Sequence, residues 1–285
     1  MNNKMKNLSG KVVVIAGGSG CIGSEVYKKL LLLDAKVTGI SRTENMYLKK
    51  FSENNNKEYN WIISDLSSMS GWESTLTKIK DKFGKIDVLV NCVGVLIPGK
   101  IETLTYQQID QVISTNFTSI ILAFKSIIPL MREQRFGHII NIGSLGGIVP
   151  MPYEALYSAT KFAVRGFILS LRKELAGTGS NISLVSPGPV LTKMLAVESA
   201  DPDSTIAFVK YPLKSDLVAE KIIHLILHPK TELILPSGIK TAAFLLNIFP
   251  DLFNLFYPVL NYLGKRNMEK LSPLFKPLKE SLNEN

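Results

Sequence analysis

The sequence predicts an α/β protein built on a doubly wound parallel sheet. Three observations carry this. An apolar run at 12–16 opens directly into the glycine-rich turn GGSGCIG, Gly17 to Gly23. Apolar runs and helical stretches then alternate as far as about residue 236. The runs are short, continuous and bounded by turn residues, as strands buried on both faces are.

Taken in order, 12–16 reads as the first strand, 25–33 as a helix and 36–40 as the second strand. Residues 61–64, ending at Asp65, read as the third strand. A helix is predicted over 70–83 from its mixed-charge periodicity, and a fourth strand over 88–90, followed by the turn NCVG. Residues 106–132 read as helical, with Pro129 at a boundary or kink. A strand over 137–142 leads to Ser144, a strong helix covers 157–175, and a strand over 181–186 stops at Pro187. Beyond Pro189 the expectation is a loop with short helices, then a helix over 215–227 and a last strand over 232–235. This is the βαβ rhythm of a Rossmann-type fold, as a single catalytic and dinucleotide-binding domain over 8–236. Residues 237–285 are expected to form an apolar helical extension followed by a polar, frayed tail beyond Gly264. The apolar part, 238–263, is broken by Asn247, Pro250, Asp251, Asn254 and Pro258, so it suits a membrane-surface contact, a pocket lid or a dimer surface better than a span.

With 285 residues, 46% of them hydrophobic, the chain can bury a core without staples. Its 33 Lys and Arg against 24 Asp and Glu give a formal charge of +9. The positive residues are dispersed and no nucleic-acid-binding module is visible, so nucleic acid is not an expected partner. Two cysteines, Cys21 and Cys92, make neither a disulfide framework nor a repeated metal-ligand pattern. The expected setting is cytoplasmic, with a peripheral position at the inner face of a membrane as a variant of it. The N-terminal apolar run flows into the glycine turn and reads as a strand, not a signal peptide.

The glycine turn lies between a strand and a helix, the context in which it binds a dinucleotide. Gly17 permits the tight turn, Gly20 admits backbone close to a pyrophosphate, and Gly23 lets the helix pack on the sheet. Ser19, Cys21 and Ile22 lie in the same loop and are assigned to cofactor binding with them. The helix start offers free N–H groups to phosphate. After the second strand come Ser41 and Arg42 in place of the acidic residue that usually accepts the ribose hydroxyls of NAD. This favours NADP(H), whose 2′-phosphate Arg42 can pair, over NAD(H), with Arg42 as a solvated loop cation the alternative. Asp65, with Leu66 beside it, can accept from an adenine amino group or cap the next helix.

Tyr157 and Lys161, four residues apart in YSATK, share one helix face. An ammonium beside a phenol favours the phenolate, and the tyrosine can then pass a proton to or from a reacting oxygen. Ser144 stands at the C-terminal rim of the sheet, where open α/β sheets bind ligands. Asn116 is an amide inside an apolar helix and needs a partner; it can hold a water that completes a relay to Lys161, or cap or kink its helix. His138 reads as structural. His224 and His228 are spaced i, i+4 without an HExxH pattern, and no metal is expected. Ser144 lacks the GxSxG of a serine hydrolase.

On these pieces, from AGGSGCIG through Asp65, NCVG at 91–94, Asn116, Ser144 and YSATK to PGPVLT at 187–192, the chain resembles the short-chain dehydrogenase/reductase family of the classical type over about 8–236. The resemblance implies Tyr157 as acid/base, Ser144 polarising the reacting oxygen, and Lys161 lowering the tyrosine pKa and binding nicotinamide ribose. It implies Asn116 in the relay. It adds Asn91 and Gly94 to the cofactor site, and sets Pro187, Gly188, Val190 and Thr192 along the nicotinamide. The loop departs from the family pattern: Ala16 replaces a threonine and Cys21 a glycine, and the glycine spacing looks like that of the extended branch. The implied activity is hydride transfer between nicotinamide and a carbonyl or alcohol. The loops after Gly146 and Thr192 are rich in apolar residues, which suggests a hydrophobic, lipid-like substrate. A homodimer or homotetramer built on the helices around 106–131 and 157–175 is also implied. The alternatives are a non-catalytic dinucleotide-binding sensor or scaffold, and an epimerase or dehydratase on the same cofactor site.

Overall fold

The computed structural model describes residues 8–280. Seven strands form one parallel sheet: β1 (Val12–Ala16), β2 (Lys36–Ser41), β3 (Asn60–Ile63), β4 (Val88–Asn91), β5 (Gly137–Ile142), β6 (Ser180–Pro187) and β7 (Glu232–Leu235). Their spatial order is β3-β2-β1-β4-β5-β6-β7. β1 and β4 are therefore neighbours, with Ala16 beside Asn91, and the chain winds outward from them in both directions. That pair is the switch point, where an open α/β sheet leaves a crevice at its C-terminal edge.

The continuous apolar runs divide by pleat. Val13 and Ile15 of β1 join one buried cluster with Val26 and Leu30 of α1 (Cys21–Leu32). Val218 and Ile222 of α8 (Ser215–Leu227) belong to the same layer. Val12, Val14 and Ala16 join the opposite cluster. There they meet Trp72 of α3 (Met69–Phe83), Phe124 of α5 (Ser119–Gln134) and Val164 of α6 (Ala155–Glu174). Both faces of the sheet are thus covered, which is why its strands read as unbroken apolar stretches rather than alternating ones. His138, on β5, is buried with its Nε2 2.8 Å from Ser183 Oγ. Burial pushes its pKa down to about 4, so it serves the core as a neutral ring.

Several elements differ from the sequence expectation. Helix α1 begins at Cys21 rather than at 25, because Gly20 is already its N-cap and the glycine turn feeds straight into it. Helix α2 (Met46–Asn54) was not expected. It buries only Leu48 and Ser52, too narrow a stripe to show as periodicity, and is started by Asn45, whose side chain accepts from Leu48 N–H. The helical stretch expected over 106–132 is present as helix α4 (Tyr106–Ile113), a π turn at Ser114–Thr118 and α5, contiguous to Gln134, with Pro129 inside α5 and not at its boundary. Among the described residues this 106–134 stretch alone has the length and apolarity of a membrane span, but one side of it is core.

The largest correction concerns the tail. Past α7 (Lys193–Glu198) and α9 (Lys240–Ile248), helix α10 runs from Pro250 to Glu280 and includes the stretch expected to fray. It persists because it has something to pack on. Leu271 and Phe275 are buried against Leu195 and Phe208, with the Phe208 and Phe275 rings 5.7 Å apart at 75°. Gly264 lets the helix lie on the 205 backbone: a Cβ there would stand 2.1 Å from Thr205 O. Asn267 donates to the carbonyls of Phe208 and Val209 at 3.0 and 3.1 Å, and from α9 Asn247 donates to Ile148 O at 2.8 Å. The two helices therefore brace the loops that follow Gly146 and Thr192.

Candidate active site

A cleft of about 1550 Å³ runs along the C-terminal edge of the sheet, from the β2 end past the glycine turn to the start of α6. All the residues singled out from the sequence line it except Asn91 and Asn116.

At the cofactor end, Gly17 has φ +73°, and a Cβ on it would meet the Cys92 backbone at 2.9 Å. A Cβ on Gly23 would lie 2.4 Å from Gly17 O, so helix and turn touch backbone to backbone there. Gly20 has only Gly17 O within reach of a Cβ, at 3.3 Å, and its outer side is open. No side chain caps α1, so the N–H groups of its first turn are not used by a capping side chain. This cradle fits a dinucleotide pyrophosphate. Cys21, at the first helical position, is half-buried on the cleft wall.

Arg42 is exposed and makes no ion pair among the described residues; the neighbouring Glu44 pairs with Lys49 at 3.5 Å. Asp65 accepts from Ser67 N–H at 3.0 Å, which holds its carboxyl below the usual range, with the Arg42 charge acting in the same direction. The cap of α3 is Ser68, not Asp65. Asn91 is fully buried, accepts from Val93 N–H at 3.1 Å and shapes the turn from behind the cleft. The Thr192 hydroxyl caps α7 by accepting from Leu195 N–H and donates to Val190 O at 3.1 Å.

At the other end, Tyr157 and Lys161 stand on the first turns of α6, 8% and 4% exposed. Lys161 Nζ lies 5.5 Å from the Tyr157 ring centroid and donates to Ile142 O at 3.4 Å. Burial pushes its pKa down to about 8. Burial also holds the Tyr157 phenol above its ordinary value, against a hydrogen bond from Ser144 that lowers it. Burial thus works against the phenolate that the Lys161 charge is expected to favour. The ammonium sits over the ring, itself desolvated, and the phenol keeps its proton at neutral pH. Ser144 follows β5 and accepts from Gly146 N–H at 3.0 Å. The turn it starts lies flat on α6, since a Cβ on Gly147 would be 2.7 Å from Lys161 O. Cys92, against this layer, has its thiol pushed up to about 12 by burial, as an inert structural cysteine has.

Asn116 sits at the centre of the π turn, inside the helical stretch and not at its cap. Its side chain accepts from Val95 N–H and donates to Val95 O, both at 2.8 Å, and donates to Thr160 Oγ at 3.2 Å. The wider turn swings the amide inward to pair an exposed stretch of loop backbone. A Cβ on Gly94 would lie 3.4 Å from Lys161 Nζ and 3.6 Å from Asn116 Oδ1, so lysine and amide flank the same backbone.

Two pocket residues escaped the sequence reading, Glu154 and Glu198. Both are buried carboxyls at the substrate end. Their one signal was an acidic residue, Glu154, in the otherwise apolar run before Tyr157.

Fold and site together define a dinucleotide-binding oxidoreductase. Residues 11–203 match the short chain dehydrogenase family, and the chain belongs to it. It is thus an NAD(P)-dependent enzyme acting on CH–OH groups and their carbonyls. The chain is 32% identical over 197 residues to the 3-oxoacyl-(acyl-carrier-protein) reductase FabG of Escherichia coli, covering 68% of this chain and 80% of that one. Its structure is similar to a variant of actinorhodin polyketide ketoreductase with NADPH, at 28% identity and a TM-score of 0.72, over 84% of this chain and 99% of that one. It is also similar to a 3-ketoacyl-(acyl-carrier-protein) reductase from Brucella melitensis complexed with NADH, at 25% identity and a TM-score of 0.71, over 80% and 97%.

The Asn116 clamp yields a test. Asn116→Ala leaves Val95 N–H and C=O without partners, and the expected cost is about 2–4 kcal/mol. It should appear as a lower denaturation midpoint together with faster amide exchange at Val95. An unchanged midpoint would mean that the clamp contributes no stability.

Proposed function

We propose that the protein is an NADPH-dependent reductase of a ketone on a hydrophobic, lipid-like molecule, with Ser144, Tyr157 and Lys161 as its catalytic residues and Asn116 as their support. The observation that carries this is the convergence of the three in one cleft, continuous with the glycine cradle. The domain over 8–236 holds the chemistry, and 237–285 extends it across the substrate loops.

The nicotinamide supplies the hydride. The chain does the rest. The backbone of Gly17, Ser19, Gly20, Cys21, Ile22 and Gly23, with the start of α1, would hold the pyrophosphate, and Arg42 with Ser41 would take the 2′-phosphate. Asp65 and Leu66 would border the adenine, and Gly94, Pro187, Gly188, Val190 and Thr192 would hold the nicotinamide half, with Asn91 supporting the turn behind it. Ser144 donates a hydrogen bond to the substrate oxygen. Tyr157, protonated at neutral pH, gives its proton to that oxygen as negative charge develops. Lys161, desolvated and positive below about pH 8, stabilises the phenolate left behind and resupplies the proton. A phenol held above its ordinary pKa is protonated at neutral pH, the form that the donor role needs.

The exposed apolar side of α9 and α10 favours a second element, contact with a membrane surface. Leu245, Ile248, Phe249, Leu255, Phe256 and Val259 are exposed there, with Lys265, Arg266 and Lys270 following on α10. An apolar ridge beside cations suits an anionic bilayer interface, where a lipid-like substrate resides.

Three outcomes test this. Tyr157→Phe should lower kcat for an apolar ketone about 10²–10⁴-fold, and the wild-type rate of reduction should fall above about pH 8 as Lys161 loses its proton. A flat profile and an active Tyr157→Phe would exclude the mechanism. Arg42→Ala should weaken NADPH about tenfold or more while leaving NADH little changed, measured by nucleotide fluorescence; equal losses would assign Arg42 to the loop alone. Anionic vesicles should carry the full chain in flotation, and a Phe249→Asp, Phe256→Asp double variant should stay behind; flotation of both would remove the ridge from the argument.

A further inference from the structure

Glu154 and Glu198 are 3% and 6% exposed, and both face the substrate end of the cleft. Glu154 stands at the N-cap of α6, one turn before Tyr157, yet its carboxylate does not cap the helix. Glu198 is the last residue of α7. The two carboxyls lie close enough to act directly on each other, and two carboxylates can only accept, so this proximity favours a proton between them. Burial raises both pKa values, with mutual repulsion adding at Glu198 and Asp201 adding at Glu154. Two buried carboxyls side by side favour sharing one proton, which leaves one negative charge on the pair.

No counter-ion stands against it among the described residues. Among the described residues no ion pair reaches either carboxyl, although the chain as a whole carries +9. Glu198 Oε1 is buried and has no hydrogen-bond partner. The same part of the lining carries the apolar side chains of Met151, Met194, Leu195 and Ala207, with Thr192 and Lys193 beside them. A buried, unpaired charge is costly, and an apolar or amide pair would fill the space at lower cost. The chain also sets Tyr153, just before Glu154, at φ +63°, pinned by Gly99 N–H to its carbonyl at 2.7 Å. A tyrosine in that region is strained, as residues beside binding sites often are.

We propose that the Glu154–Glu198 pair is a recognition site for a protonated amine on the substrate, so that the preferred substrate is an apolar amino ketone rather than a plain one. An ammonium brings three donors and a positive charge, meeting both the unpaired oxygen and the uncompensated charge; a hydroxyl would meet only the first. The amine lies near the reacting carbonyl, because both carboxyls act electrostatically on the Tyr157 phenol. This deepens the reductase reading and rests on it for the carbonyl alone.

The test separates the two. Hexylammonium and hexanol are titrated by calorimetry into the full-length protein, wild type, Glu198→Gln and Glu154→Gln. The wild type should prefer hexylammonium by about tenfold or more, and each variant should lose that preference. Equal affinities in the wild type, or an undiminished preference in either folded variant, would overturn the site without any turnover being measured. A long-chain ketone and its α-amino counterpart are then compared with NADPH, where the amino-to-plain ratio of kcat/KM should fall about tenfold in Glu198→Gln. Amine preference in binding with neither ketone reduced would sink the reductase reading and keep the site. Reduction of both ketones with equal kcat/KM and no amine preference would do the reverse.

Discussion

Seven parallel strands point their C-terminal ends at one edge, and everything functional in this protein hangs from that edge. A parallel pair cannot be closed by a tight hairpin, so each connection must cross a face of the sheet, and each loop that leaves a strand end lies beside its neighbours. The glycine turn after β1, the β4 turn, Ser144 after β5 and the Pro187 segment after β6 thereby become one wall, though they span some 170 residues of chain. The switch between β1 and β4 opens that wall into a crevice.

Within the crevice the chemistry is set by exclusion of water. Lys161 and Tyr157 are buried in the same layer, and burial moves both pKa values, the ammonium down and the phenol up. Burial thus favours the neutral forms over the charged pair that proton transfer creates, so the phenol holds its proton until negative charge develops beside it. The backbone around them is held by few but specific bonds: the Asn116 amide on Val95, the Ser144 turn on α6, the Thr192 cap on α7. These are positioning contacts, and they explain why polar side chains are retained among apolar ones.

The helices after β7 add a second function to a fold already complete. Their inner side, through Asn247, Gly264, Asn267 and Phe275, fastens the two loops that shape the substrate end. Their outer side leaves a ridge of large apolar residues exposed. The loops that rest on α7 and α10 thus line the far half of the cleft, away from the nucleotide cradle, and the buried carboxyl pair lies there.

The strands, the glycine turn and the YSATK helix were legible because each is a local pattern. Apolar runs between turn residues, a glycine triplet between strand and helix, and a tyrosine four residues before a lysine say what they are without a partner. Helix α2 was not legible, since it buries one leucine and one serine, and the persistence of α10 past Gly264 was not either, since it comes from contacts with residues some 60 positions earlier. Tyr157 and Lys161 could be named from sequence, yet the direction of the phenol's pKa could not, because burial is a property of the assembled layer. Asn116 was marked as an amide needing a partner, and only the fold could supply Val95. Glu154 and Glu198 are ordinary surface-type residues 44 apart in the chain, and nothing local makes them a pair. The sequence by itself determined the fold class, the glycine turn and the candidate reacting groups, through short-range periodicity and backbone sterics. Tertiary structure alone decided which charges are desolvated and what faces them, because solvation and Coulomb energy depend on distance in space and not on distance along the chain.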